Sequence, residues 1–498
     1  MNTKKLPILL CLLFTGTSSH LSSATIKEKT FLRTQPPGCG LLMRLDTANI
    51  GRYRKPGEPQ LKMHITPFYR WSYNKSDIGK YFGMYNDNSG ALDDFIEVNS
   101  DSETALGNSG DFIHDQTGTA IELKDKVLLR PDRKTYGARI DMCADLDESG
   151  DLQLKIGIPL VRVKTSINPE SIGITQAGEV PGMGKTATLL DFLSGNIKNL
   201  STDNKQEPLE KLKAPATYQS KMGFSDAEWS ISSLIVKKEN HLVRFGIIGT
   251  LPINKKPEGE FWFEPLLTNG KHVSIGAELS GHARLYRKYS WQTNVFTDLE
   301  YRYFFKGSEI RTLLYHNATG EYSAWPVQSL GGQIGEKGVF PLANITTREY
   351  DITPGALFEG VLGINIMRKT YSIAIGYSVY ARFKEKVEIP SWNDDTYAIA
   401  LYEYDTTDDF TTLDAFSLAV DGNNAPQAQR TINKENLVAD SAATPWQLTH
   451  RVFAAIDYQS SSTKYPVFAG IGGFADFAIR ENSALKEISF WLRAGITF

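Results

Sequence analysis

Three short stretches of this sequence hold residue types that could do chemistry. Residues 178–186 read GEVPGMGKT, and their end imitates a phosphate-binding loop. Such a loop needs G-x-x-x-x-G-K-[ST], so that backbone N–H groups wrap the phosphates and the lysine reaches them. Counting back from Gly184, the first glycine should stand at 179, where the chain has Glu179 and a charge that opposes phosphate. No buried strand leads into it, because SINPESIGITQAG is polar and broken by Pro169. Lys185 reads as a solvated charge. From Asp145, DLDESGDLQLKI sets Asp145, Asp147 and Ser149 at calcium-loop positions 1, 3 and 5, with Gly150 for the sharp turn. Position 12 is Ile156, where calcium needs a bidentate glutamate, so a tight hairpin turn is the better reading. The third stretch, HVS, places His272 and Ser274 two residues apart, a base and a nucleophile on one face of a strand. A Cys/His metal cluster and a G-x-S-x-G elbow are both missing from the sequence. Neither a cofactor nor a metal is expected, and the chain does not read as an enzyme.

What must position these residues begins with the ends of the chain. Lys4 and Lys5 precede an apolar run over 6–14, and SSA closes at Ala24. This predicts a signal peptide over 1–24 and an exported protein. Losing both lysines takes the formal charge from −3 to −5, which gives no bias toward nucleic acid. The remaining sequence holds no run of ~18 apolar residues, hence no predicted transmembrane helix. No linker or composition break divides it.

Period-two patterning dominates instead. In HVSIGAELSGHARLY, residues 272–286, Val273, Ile275, Ala277, Leu279, Ala283 and Leu285 alternate with His272, Ser274, Glu278, Ser280, His282 and Arg284. Residues 291–304 repeat the pattern after a short turn, as do 356–367 with 371–386 and 135–146 with 151–164. These strands exceed the ~5–6 residues usual in soluble sheets and reach the ~9–11 that cross a bilayer at a tilt.

The chain ends ISFWLRAGITF, with Ile488, Phe490, Leu492, Ala494, Ile496 and Phe498 on one face. This resembles the closing strand of Gram-negative outer-membrane β-barrels. The resemblance implies an all-β transmembrane antiparallel barrel, handled by the outer-membrane assembly machinery and seated in outer-membrane lipid. Counting strands at 61–72, 135–146, 151–164, 229–237, 242–251, 272–286, 291–304, 356–367, 371–386, 446–458, 466–477 and 487–498 gives about 12, with 396–405 and 309–316 as candidates for 14–16. The connections then alternate long and short, as barrels with long extracellular loops and short periplasmic turns require. The expected organisation is a signal peptide over 1–24, a periplasmic N-terminal segment and candidate plug over 25–60, and a barrel over 61–498. On this topology 165–228 lies outside the cell, with TATLLDFLSGNI a short helix in it.

Strand parity sends Arg139, Asp141, Lys155, Glu278, Arg284, Asp298, Glu300, Arg302, Arg382, Lys384, Arg451, Asp457 and Arg493 into the lumen as pore-lining residues. Their signs are mixed, so no charge selectivity follows. Eight strands hold only side chains and 16–18 leave an aqueous channel, so twelve gives a narrow or gated pore. The expectation is a porin-like channel for passive diffusion of small solutes. Two alternatives stand beside it: a surface or adhesion protein, and a plugged barrel carrying hydrophobic substrates, as in the fatty-acid transporter family. The outer-membrane phospholipase family has a His-x-Ser pair on one strand, but its chemistry faces lipid, whereas His272 and Ser274 face the lumen. The oligomeric state is left open.

Two cysteines remain after the leader, Cys39 and Cys143. Cys143 faces the lower mouth of the lumen, and Cys39 lies in RTQPPGCGLLMRLD, whose Pro-Pro and Gly-Cys-Gly suggest a fixed turn. A Cys39–Cys143 disulfide is expected to tie this segment into the periplasmic opening. Two reduced thiols are the alternative.

Overall fold

A computed structural model describes 29–50, 60–82, 124–172, 205–316, 340–394, 431–460, 465–477 and 484–498, with short pieces between them. The expected signal peptide lies outside the described residues. Twelve strands form one antiparallel sheet closed on itself. They are β1 (Leu61–Ser72), β2 (Asp132–Asp145), β3 (Leu152–Ser166), β4 (Gln219–Phe224 and Ala227–Lys238), β5 (His241–Leu251) and β6 (Ser274–Lys288). β7 (Trp291–Phe304), β8 (Leu357–Arg368), β9 (Tyr371–Arg382), β10 (Gln447–Gln459), β11 (Val467–Phe477) and β12 (Glu487–Thr497) complete the wall. β1 closes it, pairing Lys62 with both Thr497 of β12 and Cys143 of β2.

The strands form because each offers mostly apolar residues to lipid at alternate positions. In β1, Lys62, His64, Thr66, Phe68 and Arg70 are buried inward, while Met63, Ile65 and Tyr69 are exposed. β4 is one strand interrupted at Ser225–Asp226. Phe224 pairs with Leu160 and Glu228 with Gly157, so the register slips by one residue there. Pro159 stands opposite the break, with no N–H to give, and its carbonyl accepts from Ser225 N at 2.8 Å.

The described parts of the six long connections lie at one end of the barrel and form a cap. Leu32, Ile78, Tyr81, Phe82, Leu189, Phe192 and Trp262 belong to one apolar core there. The expected helix after residue 186 runs over Leu189–Leu193, capped by Thr188, whose hydroxyl accepts from Asp191 N. Gly178–Val180 pairs antiparallel with Lys185–Ala187, so the two described ends of the phosphate-loop mimic are paired strands. Its residues 181–184 lie outside the described residues. The two doubtful strands also belong to the cap. Gly307–Thr312 pairs with Thr347–Thr353, and Tyr397–Leu401 with Leu330–Gln333, which leaves the wall at twelve.

Candidate functional site in the lumen

The N-terminal segment is inside the barrel. It enters among the cap residues, where Lys29 Nζ reaches Asp440 Oδ2 at 2.9 Å and Thr30 donates to Thr312 O at 2.6 Å. Arg33 is fully buried and donates from Nη2 to Glu309 Oε1 at 2.8 Å and from Nε to Glu385. Deeper, Gln35 donates to Glu359 Oε1 at 2.9 Å and accepts from Arg451 Nη2 at 2.6 Å. Arg139 donates to Gly38 O at 3.0 Å, Leu41 N donates to Glu359 Oε2 at 2.8 Å, and Arg493 donates to Met43 O at 3.1 Å. Near the periplasmic end Asn365 donates to Thr47 O at 3.1 Å, and Lys62 pairs with Asp46. The Pro-Pro-Gly-Cys-Gly turn is held by glycine at φ 72° (Gly38) and 109° (Gly40), and a Cβ on Gly38 would stand 2.7 Å from Pro159 Cβ.

Most of the lumen-facing charges expected from parity meet one another or this segment. Arg44 spans Glu300, Glu278 at 3.8 Å and Glu228 at 3.9 Å. Glu228 also takes Arg139 and Arg302; Arg139 takes Asp141 at 2.7 Å, and Arg302 takes Glu300. Lys155 lies 4.0 Å from Glu278. Arg451 pairs with Asp476, and Arg382 donates to Asn269 Oδ1 at 2.7 Å. Asp298 lies among these groups, and buried Asp457 is on the inward face of β10. Lys384 stands past the end of β9 and pairs with Asp440 in the cap, and Arg284 reaches Glu239 O at the short turn before β5. Parity also reaches Arg70 and Glu359, which were not singled out, whereas Glu228 lay one residue outside the expected strand.

The outer wall is the opposite. Ile65, Ile140, Ile247, Ile364, Ile456 and Leu492 are all exposed. Tyr69, Trp71, Tyr303, Tyr377 and Phe477 rim this band on the cap side, and Tyr289, Trp291, Tyr371, Tyr458 and Phe498 on the other. An apolar band between aromatic girdles on a closed sheet fits a bilayer and would be insoluble in water.

The chain is a Gram-negative outer-membrane β-barrel protein.

No protein-family model and no curated protein matches the sequence. Among solved structures it is similar to an outer-membrane channel from Pseudomonas putida F1, at 9% identity and TM-score 0.34, over 88% of this chain and 95% of that one. It is also similar to the Pseudomonas putida toluene transporter TodX, at 9% identity and TM-score 0.29, over 89% of each chain. A Pseudomonas aeruginosa FadL homologue matches at 7% identity and TM-score 0.27, over 95% of this chain and 99% of that one.

Within this outer-membrane barrel the segment has two faces. The helix Leu41–Arg44 and Leu45 bury apolar side chains in one cluster with Phe68, Phe296, Val361, Phe453, Phe474 and Trp491, all inward-facing on β1, β7, β8, β10, β11 and β12. Arg44 meets the ionic side formed by β4, β6 and β7. Between Gln35, Cys39, Asp226, Arg302 and Glu359 remains a cavity of about 20 Å³, room for about one water.

The expected disulfide is not formed. Both Cys39 and Cys143 are free thiols. Cys39 sits 3.6 Å from Ser225 Oγ, beside Pro159, which pairs with Arg139, whereas Cys143 is four residues further down β2 opposite Lys155. That is ~13 Å along a strand, well beyond the reach of a disulfide. The segment descends from the cap rather than rising from the periplasmic mouth, which puts Cys39 too high.

His272 and Ser274 turn to separate partners. His272 Nε2 lies 2.8 Å from Glu309 Oε1 and Nδ1 2.9 Å from Phe305 O, while Ser274 Oγ is 2.7 Å from Thr250 Oγ1. In the calcium-loop mimic, Asp147 accepts from Leu152 N at 2.8 Å and from Ser149 Oγ, so its carboxylate closes the turn.

In the cap, burial alone would raise Glu309. The guanidiniums of Arg311 and Arg33 outweigh it and hold the carboxyl well below the usual range. Glu385 is lowered in the same way, with burial opposed by Arg33 and Arg311.

Proposed function

We propose that the protein is a gated outer-membrane channel for small apolar solutes, closed at rest by its own N-terminal segment. The supporting observation is the apolar seat of Leu41, Leu42, Met43 and Leu45 on inward Phe296, Phe453, Phe474 and Trp491. A water-filled diffusion pore gains nothing from an apolar wall at mid-height. A path for apolar solutes needs one, and a plug that covers it with its own apolar residues keeps it dry until it moves. The same filling speaks against the freely diffusive porin expected from strand count.

Uptake by cells tests this, because the outer leaflet itself is a barrier to apolar solutes. A Gram-negative host expressing the chain should take up radiolabelled toluene several-fold faster than the empty host, with unchanged entry of a small sugar. Faster sugar entry with unchanged toluene entry would return the diffusive porin.

A further inference from the structure

The outward face carries one feature that solute passage does not use. On the cap-side half of the wall, apart from buried Asp132 at the head of β2, charged outward side chains among the described strand residues are confined to Lys134, Arg162 and Lys164, on β2 and β3. They are adjacent: Lys134 pairs with Lys164 across the ladder, and Tyr136 with Arg162. Paired strands run ~4.8 Å apart, so three cations share a patch little wider than one sugar. Below them the outward positions are apolar, Ala138 opposite Leu160 and Ile140 opposite Ile158. Beside them stand Tyr69, paired with Tyr136, and Trp71, paired with Lys134.

These cations are poorly neutralised. Arg162 donates from Nε to Ser220 Oγ at 2.8 Å, and neither it nor Lys164 has a carboxylate partner among the described residues. Lys164 Nζ lies 5.9 Å from the Tyr136 ring centre, and Lys134 Nζ 4.7 Å from that of Tyr218. Among the described residues the one nearby carboxylate, Asp132, is buried and shared by Lys134 at 3.9 Å, Lys75 at 3.2 Å and the Tyr218 hydroxyl.

We propose that Lys134, Arg162 and Lys164 form an external binding site for the phosphates of a phosphorylated glycolipid of the outer leaflet. Outward charge on a barrel is tolerated least at the bilayer centre and most at headgroup level, which is where the patch stands, one step above the apolar band. A guanidinium flanked by two ammonium groups suits phosphate oxygens. The ordering of the wall matches the ligand: acyl chains lie against Leu160 and Ile140, the sugar on Trp71 and Tyr136, and phosphate on the cations.

The experiment titrates the purified full chain in detergent with bisphosphorylated lipid A and with lipid A stripped of both phosphates, reading retained lipid by native mass spectrometry. One lipid A should stay bound to wild type. Removing its phosphates, or combining Lys134→Gln, Arg162→Gln and Lys164→Gln, should weaken binding at least tenfold. The pair Lys288→Gln and Arg368→Gln, outward cations at the periplasmic rim, should leave binding unchanged. Arg162→Gln alone gives an intermediate loss and serves if the triple variant does not fold. Equal binding of the dephosphorylated lipid, or undiminished binding by either patch variant, overturns the proposal. Displacement of lipid A by millimolar inorganic phosphate makes it a free-phosphate site and overturns the lipid assignment.

Discussion

Arg33 and Glu309 form an ion pair at 2.8 Å in which both side chains are wholly shielded from solvent, joining the start of the N-terminal segment to the cap. Arg311 and Glu385 complete a four-membered cluster of two charges of each sign. Removing one member of a buried cluster leaves an uncompensated charge at a cost of about 3–5 kcal/mol. Glu309→Gln should therefore turn a quiet planar-bilayer trace into one with frequent stepwise openings. The same cluster fixes the pH response. Both carboxylates are depressed, Glu309 strongly, so their contribution to holding the segment is complete above the ordinary carboxylate range and is lost as pH falls through the depressed values. Conductance should stay unchanged from about pH 8 to about pH 5 and rise only in stronger acid. Opening near pH 6 would show that other groups hold the segment.

Arg44 is the segment's cation in the ionic half of the lumen, facing Glu228, Glu278 and Glu300. Arg44→Met leaves three carboxylates to two wall arginines. At about 3 kcal/mol the open population should rise by about 100-fold, read as open probability in single-channel records. Adding Glu300→Gln should recover part of the closure, because it removes the carboxylate that Arg44 meets most closely. Identical records for the single and double variants would mean that the two groups are not coupled.

Cys39 is a buried thiol held against Ser225 Oγ at 3.6 Å and Asp226 O at 3.7 Å. It should resist alkylation in the folded protein while the half-buried Cys143 labels first. Denatured without reductant, both should label, since neither is bonded. Arg44→Met should speed Cys39 labelling in the folded barrel in step with its added conductance. Fast Cys39 labelling in wild type would mean that the segment leaves the lumen unprompted.

Much of the wall was legible in the sequence. Alternation at 272–286 and 291–304, the run to Phe498 and the sorting of long and short connections each follow from local chemistry, since a lipid-facing strand must show apolar residues at every second position. Parity alone pointed Arg139, Glu278, Glu300 and Arg302 inward. It was silent on what they meet. Whether twelve strands enclose water or packed side chains depends on where residues 29–50 go, and no local pattern encodes that path. Arg44 meets Glu300 across a sequence gap that only barrel closure spans. Cys39 and Cys143 show the same limit: chain length permits their contact, but the direction in which the segment threads the lumen forbids it. The gap at Ser225–Asp226 and the burial of 309–316 in the cap were likewise decided by packing, because a short alternating stretch pairs with whichever free edge the tertiary fold brings to it.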